Sequence, residues 1–229
     1  MKINFFKTAF LGLAAVLFAS CSVDDGDYYY EPTNSAYGLI ANASPSSGDL
    51  YFFADANQVG ESPFSYSDAR GYYNFFPGDR TLTIKDDLGQ TLATAEITLE
   101  LGEFFSAFAV NTFDNLELVV YEDNAVKPEI GLASVRFINL SPDATTIDID
   151  GTTTQSFASG LEFKQATQFQ QVNAGTYDFN FSNTADGTPL ATQNVQLLSG
   201  RIYTIYTKGF VTPPAGSNDT FSAEILRNY

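Results

Sequence analysis

The chain has 229 residues, with 27 acidic against 11 basic ones for a net charge of −16, one cysteine, no histidine and no tryptophan. Hydrophobic content of 44% and aromatic content of 15% supply enough apolar material for a packed core and exclude wholesale disorder. The charge excludes nucleic acid as a partner, which needs a basic stripe; the missing histidine and lone cysteine exclude histidine-dependent sites and an internal disulfide.

Lys2 and Lys7 open the chain, and Thr8 to Phe18 is an apolar run. It falls short of the ~20 residues that span a bilayer and matches the core of a secretory signal. Residues 1–20 therefore read as a signal peptide of the lipoprotein kind. Ala19 and Ser20 ahead of Cys21 resemble a bacterial lipobox, whose cysteine is diacylated and becomes the new amino terminus. The resemblance implies attachment at Cys21 and a membrane partner, each buried CH₂ contributing ~0.8 kcal/mol. An ordinary signal peptide cut near Ser20 is the plain alternative. Residues 21–34 form an acidic tether. Its Asp24 and Asp25 resemble the export signal with which Bacteroidetes-type bacteria place lipoproteins on the cell surface. The other reading is a solvated linker on the periplasmic face of the outer membrane.

The mature chain repeats itself. Asn42-Ala43-Ser44-Pro45 returns as Asn139-Leu140-Ser141-Pro142, and Gly78 returns as Gly175, both 97 residues on. Gly89 to Thr94 returns as Gly187 to Thr192, and Ile97, Leu99 and Gly102 return as Val195, Leu197 and Gly200. Blocks in one order at offsets of 97 and then 98 mean a tandem duplication, with a period of domain length rather than of a solenoid.

Both copies read as β. Glu96 to Leu101 alternates with Ile97, Leu99 and Leu101 on one face, and Thr176 to Phe181 alternates with its aromatics inward. Val135 and Phe137 flank Arg136 in the strand that opens the second copy. Turn signals recur roughly every 8–14 residues, which predicts about seven short strands per copy. The expected architecture is all-β, two tandem Ig-like antiparallel β-sandwich domains at 35–121 and 133–229. Residues 122–132, with charges, Pro128 and Gly131, are the expected linker.

The stretch Val135-Arg136-Phe137-Ile138-Asn139-Leu140-Ser141-Pro142-Asp143-Ala144, followed by Ile147 to Gly151, resembles the opening of a bacterial domain-of-unknown-function family. Its pattern is V-R-x-x-N-x-S-P-D-A, and the likeness covers 133–227 well and 36–121 more loosely. The resemblance implies secreted or lipid-anchored Ig-like β domains in one or several copies, with no catalytic residues to carry over.

No Ser-x-x-Lys, phosphate loop or dinucleotide fingerprint is present. Asp148 and Asp150 share one face of a strand and invite comparison with a glycosidase pair. Their alternation with Ile147 and Ile149 instead predicts a solvated edge. No calcium loop is formed around Asp143, Asp148 and Asp150, so neither catalytic residue, metal nor cofactor is expected. The Asn-x-Ser-Pro motif predicts an Asx turn closing the first strand of each copy. The copies differ most over 50–76, where the first carries Tyr51, Phe53, Tyr66, Tyr72 and Tyr73. Exposed rings bind sugars or proteins, whereas cross-strand packing is the structural alternative. The sequence thus points to a non-catalytic binding, adhesion or structural module on the outer membrane, with a protein or glycan ligand met by these rings. The alternative is a glycan-binding accessory lipoprotein of a polysaccharide-uptake system.

Overall fold

A computed structural model describes residues 34–152 and 155–229. Cys21, Asp24 and Asp25 lie outside the described residues. The first copy supplies β1 (Ala36–Asn42), β2 (Leu50–Ala54), β3 (Asn57–Phe64), β4 (Ala69–Phe75), β5 (Gly78–Lys85), β6 (Thr91–Leu99), β7 (Phe104–Val110) and β8 (Glu117–Glu122). The second supplies β9 (Leu132–Asn139), β10 (Thr146–Asp150), β11 (Ser156–Glu162), β12 (Gln170–Asn173), β13 (Gly175–Asn183), β14 (Pro189–Leu197), β15 (Ile202–Lys208) and β16 (Ser222–Arg227). The protein is all-β, as expected, but among the described residues each copy has eight strands rather than about seven. Short β12, Gln-Gln-Val-Asn, shows too little alternation to be read in advance.

Each copy folds its strands into two four-stranded sheets of identical topology. The first has the orders β4-β1-β7-β8 and β3-β2-β5-β6, the second β12-β9-β15-β16 and β11-β10-β13-β14. One pairing in each copy departs from the antiparallel expectation. β1 runs parallel to β7 from Tyr37 beside Phe104 to Asn42 beside Ala109, and β9 runs parallel to β15 in the equivalent register. A continuous apolar strand carries no mark of its neighbour's direction, so pattern alone could not foresee it.

Each sandwich closes over its own core. Ile40, Leu50, Phe52, Phe64 and Ile84 belong to the first, and Val135, Phe137, Ile149, Phe179 and Phe181 to the second. A third apolar cluster joins the copies: Leu39, Ala41, Phe108 and Val110 meet Ile138, Leu140 and Tyr206. Apart from Leu140, just past β9, these are alternate residues of β1, β7, β9 and β15, strands buried along all but the opening residue of β7 and of β9. One face of each strand fills its own sandwich, while the other lies in the seam between the β4-β1-β7-β8 and β12-β9-β15-β16 sheets.

The repeated asparagine ends the first strand of each copy by the same chemistry. Asn42 donates to the Phe64 carbonyl at 3.0 Å and accepts the Ser44 amide at 3.0 Å. Asn139 donates to the Leu161 carbonyl at 3.1 Å and accepts the Ser141 amide at 3.3 Å. Ser44 and Ser141 then donate to the carbonyls of Asn111 and Gly209. All four side chains are buried, so the motif is the predicted Asx turn and a structural staple.

Candidate binding site

β3 and β4 are edge strands of different sheets of the first sandwich. Where the sheets part between them lies a cleft of about 340 Å³, within the lower range of ligand pockets. Val59 and Phe75 line it from the core side, and Tyr73 packs against that core. Gly60, at φ +81°, passes close: a β-carbon there would lie 3.0 Å from the Tyr73 hydroxyl. Asn57, Gln58, Asn74 and Phe76 complete the lining, and the Phe76 ring is 75% exposed.

Phe76 is held out by the turn that follows it. Arg80 donates to the carbonyls of Phe76 at 2.9 Å, Pro77 at 2.7 Å and Asp79 at 2.9 Å, and reaches Asp55 at 3.4 Å. The other Asp55 oxygen accepts the Thr81 amide at 3.0 Å. The second copy builds the same turn with different side chains. The Tyr177 hydroxyl donates to the Asn173 carbonyl at 2.9 Å, and Thr152 accepts the Asp178 amide. Applying the 97-residue offset, Gln170 stands for Tyr73 and Asn173 for Phe76, so the second copy keeps the scaffold without the rings.

The five aromatic residues singled out in the sequence do not form one surface. Tyr51 and Phe53 alternate with the core residues Leu50 and Phe52 and so point to the outer face of their sheet. There the Lys85 ammonium sits 4.2 Å from the Phe53 ring centre. Tyr73 lies in the cleft. Tyr66 and Tyr72 are drawn into the contact between the copies, which removes them from a free binding face. Lys208 of the second copy lies over the Tyr66 ring, and the buried Tyr66 hydroxyl has no hydrogen-bond partner. Burial first, then the charges of Asp219 and Glu224, push that phenol above the ordinary tyrosine range.

Tyr72 belongs to a polar cluster that the sequence did not disclose. Its hydroxyl donates to Asp123 at 2.6 Å and accepts from Asn228 at 2.9 Å. Ser106 and Asn228 also donate to Asp123, and Arg136 pairs with its other oxygen. The Asp123 side chain is 0% and that of Arg136 4% exposed. Arg136 donates further to Thr204 and to the Glu122 carbonyl, and lies over the Phe169 ring. The rings of Tyr229 and Phe104 stack beside it at 3.8 Å. Burial, reinforced by the Asp123 charge, holds the Tyr72 phenol far above its usual range. The sequence signals were an arginine inside an apolar strand and an aspartate at the end of another, both legible only once the strands had been stacked.

Asp148 accepts the Gly160 amide at 2.8 Å and the Thr184 hydroxyl at 2.9 Å. The Gly160 amide foremost holds its carboxyl below the usual range. Its Oδ1 is occupied in bracing the sheet. Among the described residues, no group of three or more acidic, cysteine or histidine residues could hold a metal ion.

Residues 38–150 match the model of a domain of unknown function, DUF4397. The matched stretch runs through most of the first sandwich to the end of β10 and includes the V-R-x-x-N-x-S-P-D-A segment. No curated protein matches the chain. Among solved structures, a carbohydrate-binding module of Eubacterium rectale bound to maltoheptaose is 14% identical, covering 84% of this chain and 97% of that one, with a TM-score of 0.27. A streptococcal family 41 carbohydrate-binding module that recognises alpha-glucan is 12% identical, covering 75% and 93%, with a TM-score of 0.26. A Bacteroides uniformis protein assigned to cell adhesion is 7% identical, covering 86% and 99%, also at 0.26. At these scores neither ligand nor role carries over to this chain.

Proposed function

We propose that this protein is a non-catalytic binding module of the bacterial outer envelope, anchored by diacylated Cys21 and displayed at the cell surface through Asp24 and Asp25. The cleft of the first copy carries the reading. It places an exposed ring, a second ring and free carboxamides around one concavity, while the second copy retains the frame without the rings. The non-catalytic part of the reading is supported by the lack of histidine in the chain and by the engagement of Asp148 in its own sheet.

The anchor and the binding face are tested separately. Cys21→Ser should abolish fatty-acid labelling and move the protein from the detergent phase to the aqueous one; a wild type that never labels refutes the anchor. Protease added to intact cells should remove the wild type and spare the Asp24→Ala, Asp25→Ala variant. Adhesion of cells bearing the protein should fall with Phe76→Ser and persist with Phe113→Ser, an exposed ring outside the cleft. The second reading, a glycan-binding accessory lipoprotein of a polysaccharide-uptake system, is favoured by one observation, the absence of any uncompensated charge in the cleft.

A further inference from the structure

Resting on the binding-module reading, we infer that the cleft between β3 and β4 takes an uncharged saccharide. Its two charged groups are spent on one another and on the backbone. Arg80 gives its donors to three carbonyls and to Asp55, and Asp55 accepts from both Arg80 and the Thr81 amide. Neither offers an unmatched charge to a ligand, and the net charge of −16 repels acidic polymers.

The groups that remain match a sugar. The carboxamides of Asn57 and Asn74 and the Tyr73 hydroxyl line the cleft with no hydrogen bond among the described residues. Each can donate and accept, as a sugar hydroxyl does. The Phe76 ring, three-quarters exposed at the rim of the cleft, is a flat apolar surface for the C–H face of a pyranose.

A peptide is the other occupant such a place invites, because β3 and β4 are both open sheet edges. Neither edge suits strand addition. β3 carries Gly60 at φ +81° and Pro63, which has no N–H, and its register with β2 shifts between Leu50 and Phe52. The register of β4 on β1 shifts between Gly38 and Ile40. Recognition therefore falls to side chains, and these are the ring and amides of a sugar site.

The test is calorimetric titration of the full chain with neutral gluco-, manno- and xylo-oligosaccharides and with oligogalacturonate. At least one neutral sugar should bind, oligogalacturonate should not, and Phe76→Ser and Asn57→Ala should each weaken binding about tenfold with an unchanged melting temperature. Phe113→Ser should leave it unchanged. Binding that ignores Phe76 and Asn57, or that prefers the acidic oligomer, overturns the inference. If no sugar binds while cells still adhere in a Phe76-dependent manner to glycan-stripped surfaces, the saccharide inference falls and the binding-module reading stands. Loss of both kinds of Phe76-dependent binding removes the two together.

Discussion

Asp123 shows how much one side chain can hold when it is both charged and dry. Tyr72, Ser106 and Asn228 converge on one oxygen and Arg136 on the other. Burying two charges is costly, so the pair contributes little net stability against an apolar replacement, while breaking it strands a charge. Asp123→Ala is therefore expected to cost about 3–5 kcal/mol in urea denaturation, and Asp123→Leu combined with Arg136→Met markedly less. Equal losses would mean that Arg136 relaxes into water. Tyr72 gives a pH dependence of known sign. Its folded-state pKa lies above the reference value of 10.0, so the fold favours the neutral phenol. That stability is complete below pH 10 and drains as pH rises beyond it. Tyr72→Phe should flatten the alkaline limb of the melting curve while leaving the slope near neutrality unchanged. Replacing Tyr72 and Tyr73 together by Ser should unfold the chain rather than merely blunt binding, because one ring sits in the seam and the other against the core.

Among the elements, β1 and β9 carry the greatest burden. Each is covered on both faces and paired on both edges, to β4 and β7 in one copy and to β12 and β15 in the other. Their ends are fixed by Asn42 and Asn139, whose carboxamides bond the carbonyls of Phe64 and Leu161. Truncating either asparagine leaves those buried carbonyls without their donor, at about 1–3 kcal/mol per stranded group. Asn42→Ala and Asn139→Ala should thus lower the melting temperature by similar amounts, since the two sites are built alike. A mild effect at one only would show that its loop had reorganised. Edge strands β3 and β4 have the opposite character, irregular and partly exposed, which is why a cleft opens between them.

At the scale of the whole molecule, the seam makes the two sandwiches interdependent. Leu39 occupies in the first copy the position that Arg136 takes in the second. The copies thus differ where they meet: Leu39 joins the apolar seam, whereas Arg136 pairs with the buried Asp123. The Lys164–Glu117 pair at 2.7 Å and the Ser46–Asp219 contact at 2.9 Å tie the margins. A nonspecific protease should cut near Val126, which is 78% exposed, yet the two fragments should co-elute on gel filtration. The second sandwich made alone from Gly131 should be less stable than in the intact chain, because Ile138, Leu140 and Tyr206 lose their cover. Fragments that separate at once would show that the seam contributes little.

Local chemistry by itself determined a good deal. The alternation of Thr176 to Phe181 predicted the face that fills the second core, and the repeated Asn-x-Ser-Pro segment predicted an Asx turn in both copies. The 97-residue echo foretold two equal folds. These features depend on residues near one another in the chain, where period and turn geometry suffice. The parallel pairing of β1 with β7, the burial of both faces of β9 and the meeting of Asp123 with Arg136 depend on which sheets stack. So does the scattering of the first copy's aromatics: consecutive rings on a strand must point opposite ways, and only the position of the second sandwich decided that Tyr72 would enter a dry seam while Phe76, lifted by the turn that Arg80 braces, stayed in water.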